Sequence, residues 1–417
     1  MDHLQANNCI VPLRFIGFQN DGKWEVKRLG DIAIRVNTKN LSDSRYPVLT
    51  NSATEGIVNQ QDYFDREIVT KDNLKNYSIV ELDDFVYNPR ISTAAPVGPI
   101  SRNKIGRGIM SPLYTIFRFK EGNIDFFEHY FNTNCWHQYL KDIANFGARF
   151  DRMNITSEDF MNLPIPFPPL AEQKRIAECL SSMDKMIAEC NNKLKLLKSH
   201  KKGLMQQLFA SLNGGGKSLI PRLRFQKFKN TKEWEIKTLG KISNTFSGGT
   251  PSAGNKNYYG GNIPFIRSGE LNSDCTSLFL TQEGLNNSSA KIVERGTILY
   301  ALYGATSGEV GISQMRGAIN QAILAITPND GYDSLFIYYY LKNQKESIVN
   351  QYIQGGQGNL SGTIINALRF PIPSLDEQHK IADCLSPIDK MIGYYSDKTF
   401  LLGLHKKGLM QQLFPKQ

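Results

Sequence analysis

A chain of 417 residues is two to three times the length of an ordinary domain, so at least two cores are expected. Its 41% hydrophobic and 21% charged residues are a globular composition that excludes wholesale disorder, and no apolar run reaches the roughly 18–20 residues of a membrane span. Lys and Arg number 49 against 39 for Asp and Glu, a net +10 that leans toward nucleic acid without establishing it. The first 20 residues lack the basic start and apolar stretch of a secretory signal. Six scattered cysteines (Cys9, Cys135, Cys179, Cys190, Cys275, Cys384) form no C-x-x-C pair, which fits free thiols in a reducing compartment. The expectation is a soluble intracellular protein.

In chain order, an opening motif comes first: Leu13-Arg14-Phe15 with Phe18, then Trp24-Glu25-Val26-Lys27 and Leu29-Gly30. A body of short strands and glycine, asparagine and proline turns follows, and prolines at 164, 166, 168 and 169 mark its end, since proline cannot continue a strand ladder. Glu172 to Phe209 then reads as one long helix, and Gly214-Gly-Gly-Lys217-Ser218 as a flexible linker. Here the plan starts again. Leu223-Arg224-Phe225, Phe228, Trp234-Glu235-Ile236-Lys237 and Leu239-Gly240 return the opening motif, shifted by 234 − 24 = 210. Prolines at 371 and 373 end a second body, and Glu377 to Phe414 repeats the helix at a shift of 377 − 172 = 205, identical at 24 of 38 positions. Between these anchors the bodies match in length and differ in sequence, with faint echoes such as Val86-Tyr87 and Leu299-Tyr300.

The expected division is a first body at 1–165, a spacer helix at 166–211, a linker at 212–222, a second body at 223–370 and a second helix at 371–417. Ser374-Leu-Asp-Glu377 has the spacing of a capping box. Along the first helix Ile176, Leu180, Met183, Ile187, Cys190, Leu194, Leu197, Leu204 and Leu208 step by fours and threes, with Lys201 as the break. The second carries Ile381, Leu385, Ile388, Ile392, Leu402, Leu409 and Leu413, with Lys406 at the matching break. Neither helix, about 57 Å long at ~1.5 Å per residue, can bury such a stripe alone. The fold class expected is therefore mixed α/β: two pseudo-twofold-related bodies separated by two antiparallel coiled-coil helices.

No catalytic constellation stands out. Ser211 occupies the position where a phosphate-cradling loop ending in Lys217-Ser218 needs glycine. Glu25-Val-Lys27 and Glu235-Ile-Lys237 read as strands beside tryptophans, and the histidines show no metal-ligand spacing. The informative windows are basic. From Phe85 to Lys120 there is no acid, but Arg90, Arg102, Lys104, Arg107, Arg118 and Lys120 occur there with Ser92 and Thr93. Residues 236–269 are likewise acid-free, and contain Lys256, Arg267 and Ser247-Gly-Gly-Thr250-Pro-Ser252. Tyr303-Gly-Ala-Thr306-Ser307-Gly, Gly355-Gly-Gln357-Gly-Asn359 and Asn145-Phe-Gly-Ala-Arg149 add further hydroxyls, amides and glycines. Such loops suit phosphates and base edges, the glycines allowing close backbone approach.

The WEVKRLGDI and WEIKTLGKI stretches, Phe246-Ser-Gly-Gly-Thr-Pro-Ser with Ile263-Pro-Phe-Ile-Arg, Leu302-Tyr-Gly-Ala-Thr-Ser-Gly, the Pro-x-Pro-x-Leu-x-Glu-Gln helix starts and the shared KKGLMQQLF endings resemble the DNA-specificity subunit of type I restriction–modification enzymes over nearly the whole chain. The first body departs from that pattern, with Asn88-Pro-Arg90 where the second has Ala-Leu-Tyr303. The resemblance implies two domains that each read one half of a bipartite, asymmetric double-stranded DNA target, and helices that set the gap. It implies two methylation subunits that bind S-adenosylmethionine and modify adenine N6, and motor–nuclease restriction subunits that use ATP and Mg²⁺. This chain would carry none of those cofactors, and would work in a bacterial or archaeal cytoplasm. Two other classes stay open: the recognition part of a restriction system with a fused methyltransferase–nuclease, and a coiled-coil adaptor that binds no DNA.

Overall fold

The structure, a computed structural model, describes residues 11–41, 46–63, 71–144, 151–210, 219–352 and 359–415. The chain divides into two compact units, Met1–Cys190 with Lys398–Gln417 and Asn191–Asp397. Both are mixed α/β. Each combines one body with part of each long helix, Leu170–Leu208 and Leu375–Leu413.

The opening motif of each unit forms a strand that closes its body. Glu25–Arg28 pairs antiparallel with Pro164–Phe167 in the first unit, and Glu235–Thr238 with Arg369–Ile372 in the second. Of the prolines expected to end the bodies, Pro164, Pro166 and Pro371 lie inside ladders, while Pro168, Pro169 and Pro373 follow them. Leu29 N donates to Leu163 O at 2.8 Å, so bonded positions alternate with Pro164 and Pro166, whose missing N–H groups would point away from the strand's partner.

Each body is built on a four-stranded antiparallel sheet of the same order. In the first unit it runs Ala33–Val36, Thr115–Phe119, Phe85–Tyr87, Ile100–Arg102. In the second it runs Ser243–Ser247, Ile323–Pro328, Ile298–Ala301, Val310–Ile312. The register matches too: Tyr87 faces Thr115 as Tyr300 faces Leu324, and Val36 faces Ile116 as Phe246 faces Ala325. The remaining body strands form two two-stranded sheets in the first unit and one four-stranded sheet in the second, with Val80 opposite Gly108 and Val293 opposite Gly317. Divergent sequences reach one topology because the buried face, not residue identity, sets strand register.

The cores repeat their aromatic contacts. Trp24 lies edge-on to Phe126 at 6.1 Å, and Trp234 edge-on to Phe336 at 6.0 Å. Phe414, just past the second long helix, packs 5.4 Å from Phe126, while Phe209, just past the first, packs 5.4 Å from Phe336.

Ion pairs tie the opening motif to the helix start. Arg14 Nε and Nη2 donate to Glu172 at 2.8 and 2.6 Å, and Arg224 Nε and Nη2 donate to Glu377 at 2.8 Å each. Glu377 therefore does not complete the capping box expected with Ser374; its carboxylate is taken by Arg224. The next residue reaches the body. Gln173 Oε1 accepts from Asn123 N and Gln378 Oε1 from Asp333 N, each at the start of a body helix.

The heptad breaks are ion pairs between the helices. In the first unit Lys406 Nζ donates to Asp184 at 2.5 Å, and in the second Lys201 Nζ donates to Asp389 at 2.5 Å. Lys406 and Asp389 are the repeat partners of Lys201 and Asp184. Ile176 and Leu180 share a core with Leu409 and Leu413, so within this unit one helix rises in number as the other falls. Of the expected stripe, Ile176, Leu180, Met183, Leu197, Ile381 and Leu385 are buried; Ile187, Leu194, Leu204, Ile388, Ile392, Leu402 and Leu409 are half-buried. His129 completes the first cluster, its Nε2 3.0 Å from Ser181 Oγ. Tyr339 holds the corresponding place under Lys201.

Two outcomes follow from these pairs. Arg224→Ala strands the buried Glu377 carboxylate and should lower unfolding free energy by roughly 3–5 kcal/mol in urea titration. Burial first, and Lys406 second, hold the His129 pKa below its usual 6.5, against the pull of Asp184, Glu128 and Asp125. The unfolded state then binds the extra proton, so stability is complete above about pH 6.5 and falls as pH drops below it. Urea titrations at pH 7.5 and 5.5 should differ less for His129→Tyr than for the parent protein.

Candidate nucleic-acid interface

In the first unit the acid-free window is not acid-free in space. Strand pairing sets Phe85 opposite both Arg102 and Phe117, which brings the acids just before Phe85 beside Arg102 and Arg118. Arg102 meets Asp83 at 2.6 Å, Asp125 at 2.5 Å and Glu128 at 3.2 Å. Burial works against its charge, but these carboxylates prevail and its pKa is raised. Arg118 is paired to the fully buried Asp84 at 2.6 Å, Lys104 to Glu128 at 2.5 Å and Arg107 to Glu81 at 3.2 Å. Arg107 also lies over the Tyr46 ring.

Arg90 differs: it is exposed, and its guanidinium has no partner among the described residues. Its backbone bridges Arg152, while Ile91 N donates to Asp151 O and Met153 N to Pro89 O. The chain leaving the inner strand Phe85–Tyr87 thus meets the segment that follows residues 145–150. Arg149 lies outside the described residues. Ser92 Oγ accepts from Ala95 N, closing a turn that leaves Thr93 exposed.

In the second unit the fold gathers several candidates at one end of the sheets. Ser247 ends the outer strand of the four-stranded sheet, and the chain after it turns back across the strand Gly317–Ile319. A Cβ on Gly248 would stand 1.8 Å from Ile319 O, and one on Gly249 would stand 2.5 Å from Ser289 Cβ. These glycines make room for the protein's own backbone, not for a ligand. They deliver Thr250, whose Oγ1 donates to Gln321 Oε1 at 2.6 Å. Leu302 N donates to Ala322 O at 2.8 Å and Leu360 N to Leu302 O at 3.1 Å, which brings Tyr303 and Asn359 to the same edge.

Arg267 leaves its strand level with this edge, because Ile266 pairs in parallel with Ile319. Glu270 and Ser277 take its guanidinium, at 2.7 and 3.1 Å. Burial opposes ionisation of Glu270, but Arg267 and Thr276 together hold its carboxyl below the usual range. Ser307 Oγ donates inward to Leu302 O, and Thr306 Oγ1 is buried without a partner. Ser252 and Lys256 are exposed. Gln357 lies outside the described residues. Gln321 escaped sequence reading, since one glutamine between two strands carries no periodicity or spacing. Chemically, this edge offers a hydroxyl, two amides and a phenol on a braced backbone.

The bases sort into two groups. Arg102→Ala should lower the thermal midpoint and leave the salt slope of DNA affinity unchanged. Arg90→Ala should leave the midpoint unchanged and reduce that slope by about one. Thermal melts and anisotropy titrations from 50 to 200 mM salt (the range over which phosphate contacts show) would separate them.

Comparison with known proteins identifies the family. The sequence profile of the type I restriction modification DNA specificity domain matches twice, at residues 21–199 and 231–396. The type I restriction enzyme MjaVIII specificity subunit of Methanocaldococcus jannaschii is 25% identical over 417 aligned positions, covering 94% of this chain and 92% of that one. The MjaIX specificity subunit of the same organism is 33% identical over 173 residues, 39% of this chain and 40% of the relative's length. Among solved structures, the type I restriction–modification S subunit from M. genitalium superimposes with a TM-score of 0.67 at 16% identity, covering 98% of this chain and 99% of that one. The chain belongs to the type I restriction–modification DNA specificity family.

Proposed function

We propose that the chain is the non-catalytic DNA-recognition subunit of a type I restriction–modification complex. Each unit reads one half of a bipartite, asymmetric double-stranded target. The long helices set the gap and scaffold two methylation subunits and the motor–nuclease restriction subunits. Adenine N6 methylation with S-adenosylmethionine, and cleavage driven by ATP with Mg²⁺, belong to those partners. The complex acts in a bacterial or archaeal cytoplasm; among the described residues no helix is long and apolar enough to cross a membrane.

One observation carries this reading. The two units share the order and register of a four-stranded sheet while the residues at one end of it differ: Thr250, Gln321, Tyr303 and Asn359 in one, Arg90 and Arg152 in the other. A frame kept constant beneath an edge that varies is what two different half-sites require. Adenine methylation needs an extruded base, so the edges would grip deformed DNA beside the partner's pocket.

A base-resolution methylation map of cells expressing the chain with its methyltransferase partner is the test. A two-part motif with N6-methyladenine in each half, lost on deleting this chain, is expected. Undiminished methylation after deletion would refute the reading.

A further inference from the structure

We infer that Gln321 is a specificity-determining residue of the second unit, contacting one adenine in the half-site that this unit reads, with Thr250 as its positioning residue. The inference rests on the function proposed above. Gln321 sits in the short connection between strands Gly317–Ile319 and Ile323–Pro328 and is exposed. An exposed glutamine ordinarily keeps its rotamer freedom. This one is restrained, because Thr250 Oγ1 donates to Oε1 at 2.6 Å.

Both partners are braced from below. Thr250 is pressed onto the strand end by the close passage of Gly248 along Ile319 and of Gly249 along Ser289. Asn320 Oδ1 accepts from Ala322 N at 3.1 Å, and Ala322 O accepts from Leu302 N. A side chain held on strand ends in this way is more sharply aimed than one on a free loop.

With Thr250 on Oε1, the carboxamide still has one acceptor lone pair and both Nε2 hydrogens, and Nε2 has no partner among the described residues. That set matches the adenine edge in the major groove, N7 accepting from the amide and N6 donating to it.

The first unit supports a reading role over a folding role. Val80 faces Gly108 as Val293 faces Gly317, and Tyr87 faces Thr115 as Tyr300 faces Leu324. Counting four residues on from each glycine sets Pro112 in the place of Gln321. The same turn forms without an amide, so the amide is not there to make the turn.

The test uses the chain co-expressed with its methyltransferase partner and compares methylation motifs at base resolution for the parent, Gln321→Ala and Thr250→Val. Gln321→Ala should relax a single A·T position in one half by tenfold or more, on the order expected for losing a bidentate contact. Thr250→Val should relax the same position less, leaving the other half and the gap intact. An unchanged motif for Gln321→Ala sinks the inference, as does relaxation in both halves or loss of all methylation by a complex that still assembles. Parental methylation that does not depend on the chain would instead remove the proposed function itself.

Discussion

The carboxylate at the start of each long helix, Glu172 or Glu377, is almost fully buried beneath an arginine of the opening motif. A buried carboxylate is tolerated only when it is paired and hydrogen-bonded, so the opening segment cannot leave without stranding a charge. From that point the connections run outward in both directions. The opening strand closes the body against the proline strand, and the glutamine beside the carboxylate fastens the first residue of a body helix. Body, opening strand and helix are held as one piece by two adjacent residues. The symmetry is incomplete: Trp24 Nε1 donates to Glu172, whereas Trp234 Nε1 is buried without a partner. The carboxylate–arginine pair, not the indole, is the element both units share.

The ion pairs between the helices act by a different logic. Lys201 and Lys406 occupy seam positions where an apolar residue would pack more favourably, and burial lowers the pKa of Lys201. A polar group in a helical seam adds little stability but disfavours other registers, since any shift separates it from its partner. In each unit the lysine of one repeat meets the aspartate of the other, so the same register is specified twice.

Much of the frame was legible in the sequence because repetition exposes it: the opening motif, the long helices and their stripe recur at constant shifts. The Lys–Asp pairs showed only as breaks, because the aspartates lie off the apolar register and can be matched only once the helices are known to run antiparallel. Two sequence patterns of the surface are incomplete without the third dimension. A stretch without acids says nothing about acids on neighbouring strands, and sheet pairing carried Asp83 and Asp84 to Arg102 and Arg118. Glycine marks a close approach without naming what approaches; at Gly248 it is Ile319. Glu377 had the spacing of a cap and a distant arginine as its true partner.

The contrast between Glu377 and Gln321 explains how one architecture can serve two targets. Replacing the first leaves an unpaired buried arginine in the middle of every connection just described. Replacing the second alters an exposed side chain on a turn that also forms around Pro112, a class of change that shifts stability by no more than about 0.5 kcal/mol. Residues that hold the frame are therefore constrained in both units alike, while residues on the edge can vary almost independently of folding. That separation of stability from surface chemistry lets two bodies keep the order and register of their four-stranded antiparallel sheets while presenting a glutamine in one and a proline in the other.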